Sequence, residues 1–227
     1  MYTTVRQKVK AAVRLLRAET CVLCVGLMLG LGACAVAPRN GASTCNPIAR
    51  VMRVMDSVVL FESADGGFGS GVVIDSNCVL TAKHVLDHVG VGCTFRTYDG
   101  LEYVISRTVR DEDSDLAKVY IDGKFECPSA TVCAEPLKVL DKIYVLGSPG
   151  DVSMYVTVLP GRIVKVDHDH TELISGYAYR NMDTYDVHTT GGCSGGPVVD
   201  EKGRVRGIHV LGCRNLSEGV PIEELDI

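Results

Sequence analysis

A chain of 227 residues with 46% hydrophobic and 22% charged content has the composition of one ordinary globular domain or two small packed subdomains, which excludes a disordered protein. Twenty-four glycines, no tryptophan and frequent valine favour many short strands with tight turns, the pattern of an all-β barrel or sandwich. The net formal charge of −5 argues against nucleic-acid binding, which needs Lys/Arg patches to neutralise phosphates.

Residues 1–33 differ in character from the rest of the chain. Arg6, Lys8, Lys10, Arg14 and Arg17 precede thirteen uncharged residues, Cys21 to Ala33. That run has the length of a signal h-region and falls short of the roughly 20 residues needed to cross a bilayer. It ends Leu31-Gly32-Ala33-Cys34, which resembles a bacterial lipobox. The resemblance implies cleavage before Cys34, lipidation of that cysteine and export to the cell envelope; the alternative is a plain cleaved signal and a periplasmic or secreted protein. Loss of residues 1–33 leaves 18 Lys/Arg against 27 Asp/Glu, a net of −9. Residues 34–54 show little periodicity and read as a tether.

Strand signals then come steadily. Apolar, often β-branched runs at 57–63, 67–75, 78–82, 92–98, 102–110 and 116–122 are separated by Gly, Asp and Asn, with one short helical turn after Ala82. Residues 126–137 read as a connector. A second series occupies 142–148, 154–167, 171–177, 185–189, 196–200 and 204–211. Six runs on each side of a connector predict two six-stranded antiparallel barrels, at 55–125 and 138–227. Nothing alternates helix with strand, which disfavours a parallel α/β sheet.

Ser194 stands in the run Gly191-Gly192-Cys193-Ser194-Gly195-Gly196-Pro197. A serine hydroxyl is a weak nucleophile and needs a base within hydrogen-bond reach and donors for the oxyanion that forms. Glycines serve the second need, since without Cβ the backbone can turn its N–H groups towards one point. The N–H groups of Gly192 and Ser194 are the natural donors. The same run fits the nucleophile elbow of α/β-hydrolases, but the elbow requires a helix after the serine, then an acid and a histidine. Here strand residues come next, and only 33 residues remain.

Upstream, His84 stands just past the strand run at 78–82, at the start of the helical turn, and Asp115 precedes the run at 116–122. The order is His84, Asp115, Ser194, with gaps of 31 and 79 residues. Thr81-Ala82-Lys83-His84-Val85, Asp115-Leu116-Ala117 and Gly192 to Pro197 resemble, in this order, the chymotrypsin-like (trypsin fold) serine proteases, above all their compact bacterial and viral branches. The likeness spans roughly residues 55–213. It implies a serine endopeptidase acting on polypeptides without cofactor or metal: Ser194 as nucleophile, His84 as base and Asp115 orienting the imidazole. Asp111 and Asp113 are rivals for the third role but lack the Leu-Ala context. A catalytically silent binding module on the same fold is the alternative. The chain departs from the digestive members of the family at Cys193, where they carry aspartate, and it has no Ile-Val-Gly-Gly-like activation sequence.

Thr189 and the strand Gly207-Ile208-His209-Val210-Leu211-Gly212 resemble the pocket of glutamyl endopeptidases and picornavirus-type processing proteases. There a hydroxyl and a histidine receive Glu or Gln before the scissile bond. His209 could equally be a strand residue packed in the barrel. Asp167-His168-Asp169-His170 reads as a solvated hairpin tip rather than a metal site.

In an exported chain the seven cysteines that follow Cys34 read as disulfide partners, because none of them stands at zinc spacing. The local pairs are Cys127 with Cys133, a closure worth about 2 kcal/mol, and Cys78 with Cys93. Cys193 is left either free or bridged to Cys213.

Overall fold

The computed structural model describes residues 46–63, 66–87, 89–149, 156–170, 179–213 and 215–222. The signal segment, Cys34, the first part of the tether, His88 and the strand expected at 171–177 lie outside the described residues.

Residues 47–54, expected as tether, form helix α1 (Pro47–Val54). Asn46 caps it, its side-chain oxygen accepting from Ile48 N–H at 3.0 Å. Pro47 occupies the first turn, where its missing N–H costs nothing. Val51 and Val54, three apart on one face, are buried in the core, while Ile48 and Met52 face solvent.

The first sheet comprises β1 (Val58–Glu62), β2 (Phe68–Asp75), β3 (Cys78–Ala82), β4 (Thr94–Thr97), β5 (Glu102–Val104), β6 (Arg107–Arg110) and β7 (Leu116–Tyr120). Its order is β5-β4-β1-β2-β3-β7-β6. The two edge strands are halves of the single run expected at 102–110. The Ile105 N–H donates to Cys93 O at 2.9 Å on one edge, and the Ser106 N–H donates to Tyr120 O at 2.9 Å on the other. One bent segment therefore joins both ends of the sheet, and the expected six strands become seven hydrogen-bonded pieces.

The second sheet comprises β8 (Thr131–Val132), β9 (Lys142–Gly147), β10 (Thr157–His168), β11 (Met182–Tyr185), β12 (Pro197–Asp200), β13 (Arg204–Cys213) and β14 (Leu216–Pro221). Strands β12-β9-β10-β11-β14-β13 form a ring closed by β12–β13 pairing, and β8 adds in parallel to the start of β13. This is the two-barrel architecture expected, with one strand, β14, beyond the last strand run read from the sequence. The connector joins both halves: Ala130 N–H donates to Val73 O at 2.8 Å and Cys133 N–H to Val205 O at 2.9 Å.

The expected disulfides are not formed. Cys78, Cys93, Cys127, Cys133 and Cys193 are free thiols. Cys78 opens β3 and Cys93 precedes β4, and β1 and β2 lie between those strands, which puts the pair on the order of 10 Å apart or more, beyond disulfide reach. Between Cys127 and Cys133 the chain is drawn out from Val73 of one barrel to Val205 of the other. Cys127 packs against the core, whereas the Cys133 thiol donates to Glu135 at 3.7 Å.

Candidate active site

The register of the first barrel closes the 31-residue gap between His84 and Asp115. Ala82, the last residue of β3, pairs with Leu116, the first of β7. The residues just beyond those ends therefore meet. Asp115 is buried, and its carboxylate is divided between two donors. Oδ1 accepts from the His84 backbone N–H at 2.9 Å, and Oδ2 lies 2.6 Å from Nδ1 of the ring. The Nδ1 proton so directed leaves Nε2 as an acceptor. Asp111 is occupied otherwise, its Oδ1 accepting the N–H groups of Asp113 and Ser114 at 2.8 and 2.7 Å. Asp113 is exposed.

The loop that carries Ser194 is a tight turn. Cys193 N–H donates to Thr190 O at 3.2 Å, and Gly192 takes φ +95° at the third position, as a type II turn requires. Gly195 N–H then donates to His209 O at 2.7 Å and His209 N–H to Gly196 O at 2.9 Å, which fixes the loop to β13.

A residue that sequence reading missed holds this loop from the other barrel. Ser70, fully buried in β2, donates its hydroxyl to Gly192 O and its backbone N–H to Ser194 O, both at 2.7 Å. The same hydroxyl accepts from Ser148 N–H at 2.9 Å, and Thr81 Oγ1 donates to Ser70 O at 2.7 Å. The available signal was Gly69-Ser70-Gly71. A Cβ at Gly69 would stand 2.5 Å from Val85, and one at Gly71 2.9 Å from Phe61, so the strand here admits only glycine beside the serine.

Ser194, His84, Gly192, Thr189 and His209 line one cavity of about 620 Å³. Ser194 Oγ donates to Val210 O at 3.3 Å, a long bond that a rotation about Cα–Cβ releases. His209 is buried, with Tyr185 Oη 2.7 Å from its Nδ1. Burial pushes its pKa down to about 4, partly offset by a hydrogen bond to the Glu218 backbone. Burial also holds the Tyr185 phenol well above its ordinary range, so that hydroxyl keeps its proton. Thr189 Oγ1 lies 2.9 Å from Ser217 Oγ, which donates to Val187 O at 2.8 Å.

Cys193 is fully buried, its Cα within 2.9 Å of where a Cβ on Gly147 would stand. Burial raises its pKa. A buried neutral thiol against β9 is a packing group, and the loop that carries it is anchored through Ser70.

Two packed barrels with a His–Asp pair and a glycine-flanked serine on one cavity define a chymotrypsin-like protein. Residues 69–208 match the trypsin-like peptidase domain, and the chain belongs to that family. Among known proteins it is similar to a Do-like protease of Arabidopsis thaliana, 29% identical over 209 residues, covering 83% of this chain and 48% of that protein. It is also similar to glutamyl endopeptidase of Staphylococcus epidermidis, 30% identical over 177 residues, covering 66% of this chain and 57% of that protein. The chain thus spans about half the length of these relatives. Among solved structures, the Rv3671c protease in an inactive form superposes with TM-score 0.66 at 24% identity, covering 78% of this chain and 88% of that one. The fold is therefore that of the chymotrypsin-like proteases.

Proposed function

We propose that the chain is an exported serine endopeptidase that cleaves polypeptides after Glu or Gln. The observation that carries the reading is the convergence of the oriented His84–Asp115 pair and Ser194 on one cavity. Ser194 Oγ leaves Val210 O, attacks the scissile carbonyl and passes its proton to His84 Nε2. His84 then donates that proton to the leaving amine, while the buried Asp115 carboxylate stabilises the imidazolium. The Gly192 and Ser194 N–H groups receive the developing oxyanion, each such donor being worth about 3 kcal/mol.

The preference rests on Thr189 and His209. A neutral imidazole whose Nδ1 faces the Tyr185 hydroxyl keeps a polar hydrogen on its other nitrogen, and the Thr189 hydroxyl, which donates to Ser217 Oγ, can turn that proton to a carboxylate or carboxamide. The likeness to glutamyl endopeptidase supports it. Export rests on the basic and apolar segment before Cys34, whose acylation would tether the domain to the envelope.

Fluorophosphonate labelling tests the catalytic reading. The wild type is expected to label stoichiometrically, with Ser194→Ala and His84→Ala silent; an unlabelled, correctly folded wild type overturns it. Peptides differing only before the cleaved bond test the preference, and equal rates for Glu, Gln, Lys and Leu would sink it. Radiolabelled palmitate incorporated by the wild type and not by Cys34→Ala tests the anchor.

A further inference from the structure

We propose that His168, His170 and Glu218 form a binding site for a divalent transition-metal ion of the zinc class, outside the catalytic cavity. His168 ends β10, and the His170 ring lies beside it, the two ring centroids 5.3 Å apart. Glu218 comes from β14, 48 residues beyond His170. The three ligand atoms all lie within 4.8 Å of one another. Donors on a tetrahedral ion with bonds near 2.1 Å stand roughly 3.4 Å apart, so the cluster needs only small side-chain rotations.

The hydrogen bonds around the cluster set which atoms are free to ligate. His168 Nδ1 lies 2.9 Å from Met182 O, a carbonyl that can only accept, so the Nδ1 proton points there. That is the usual bracing of a metal-bound imidazole, and it leaves the Nε2 lone pair outermost. Nε2 in turn faces Glu218 Oε1 at 3.2 Å. Thr184 Oγ1 donates to Glu218 Oε1 at 3.4 Å and steadies the carboxylate. Asp169 is turned aside to accept Asn181 N–H at 2.9 Å, which shapes the hairpin end carrying both histidines.

Two imidazoles and one carboxylate are a donor set for zinc and its neighbours, not for calcium or magnesium, which take oxygen ligands. All three side chains are partly exposed, at 13, 27 and 15%, so an ion can reach them and a water can fill the fourth position. The hairpin reading drawn from Asp167 to His170 lacked Glu218, which only the β11–β14 pairing supplies: Thr184 stands opposite Glu218. An ion here ties the end of β10 to β14, whose Gly219 pairs with His209 of the pocket strand.

The test uses the purified chain, stripped with chelator and dialysed. Calorimetric titration with Zn²⁺ should give one equivalent per chain, and Co²⁺ should give the visible absorption of a four- or five-coordinate ion. Zn²⁺ at a hundredfold excess over its Kd should raise Tm by roughly 5–10 °C. His170→Gln, on the most exposed of the three groups, and Glu218→Gln should each weaken binding by at least tenfold, with unchanged Tm in chelator showing that they fold. His84→Ala should bind as the wild type does. No saturable binding by the wild type, binding unchanged in both ligand variants, or binding lost in His84→Ala would each overturn the proposal.

Discussion

Ser70 Oγ donates to Gly192 O at 2.7 Å across the two barrels, and the same oxygen accepts the Ser148 N–H. One hydroxyl thus sets the carbonyl of the residue whose N–H is assigned to the oxyanion. In Ser70→Ala the Gly192 carbonyl and the Ser148 N–H both lose this partner in a buried site, each at about 1–3 kcal/mol. The backbone bond from Ser70 N–H to Ser194 O survives, so the loop should stay docked but loosely aimed. Rate measurements should show kcat lowered by about 10- to 100-fold with KM nearly constant, and a Tm lower by several degrees. A fall in Tm with kcat intact would make Ser70 a stabilising residue only.

The Asp115–His84 pair predicts a different profile. Asparagine matches the shape of Asp115, and its oxygen can still accept the His84 backbone N–H. Its amide cannot stabilise an imidazolium, and it favours the wrong ring tautomer. Asp115→Asn should lower kcat by about 10⁴ while Tm moves little. Steady-state kinetics beside thermal unfolding separates the two effects.

Two glycines of one loop should answer alanine oppositely. A Cβ on Gly195 would stand 2.0 Å from Ser70 O and 2.3 Å from Thr81 Oγ1, at φ +85°. Neither backbone nor buried hydroxyl can retreat, so Gly195→Ala should cost more than about 3 kcal/mol and abolish fluorophosphonate labelling. A Cβ on Gly191 meets nothing within 4 Å. Gly191→Ala should fold with a Tm within about 2 °C of wild type, a surface-like outcome.

The free thiols predict a chemical map. Cys93 is exposed, while Cys78 and Cys193 are buried, and burial raises the pKa of both buried thiols. Iodoacetamide under native conditions should modify Cys93 first and reach Cys78 and Cys193 only after unfolding. Peptide mapping of unreduced protein should yield no fragment joining Cys78 to Cys93 or Cys127 to Cys133. A peptide joining Cys78 to Cys93 would contradict the strand order, and one joining Cys127 to Cys133 would contradict the path of the connector.

How much the sequence disclosed depends on the range of each interaction. His84, Asp115 and Ser194 sit in short local motifs, so their order could be read without coordinates. Strand runs emerged from β-branched patterning. Ser217, Glu218 and Gly219 are poor strand formers, so β14 was hidden; the strand bridges β11 and β13, and a Cβ at 219 would stand 2.8 Å from Ile208 O and 3.0 Å from the Tyr185 hydroxyl, crowding that glycine avoids. Asn46-Pro47 signalled a helix start, but eight residues give little periodicity. Ser70 and the cysteine positions depend on which strands are neighbours, and that is a property of topology alone.

The His209–Tyr185 pair predicts an acid-labile barrel. The His209 pKa of about 4 in the fold against about 6.5 in an unfolded chain means that the unfolded chain binds the extra proton between those values. Stability from this group is therefore complete above pH 6.5 and is lost as pH falls towards 4, by about 3 kcal/mol in total. Glutamine at 209 removes the titration and keeps a polar contact to Tyr185 Oη. Urea midpoints at about pH 7 and about pH 4.5 should draw apart strongly for wild type and much less for His209→Gln. Equal losses in the two proteins would mean that the acid sensitivity lies elsewhere and that the buried imidazole is already solvated.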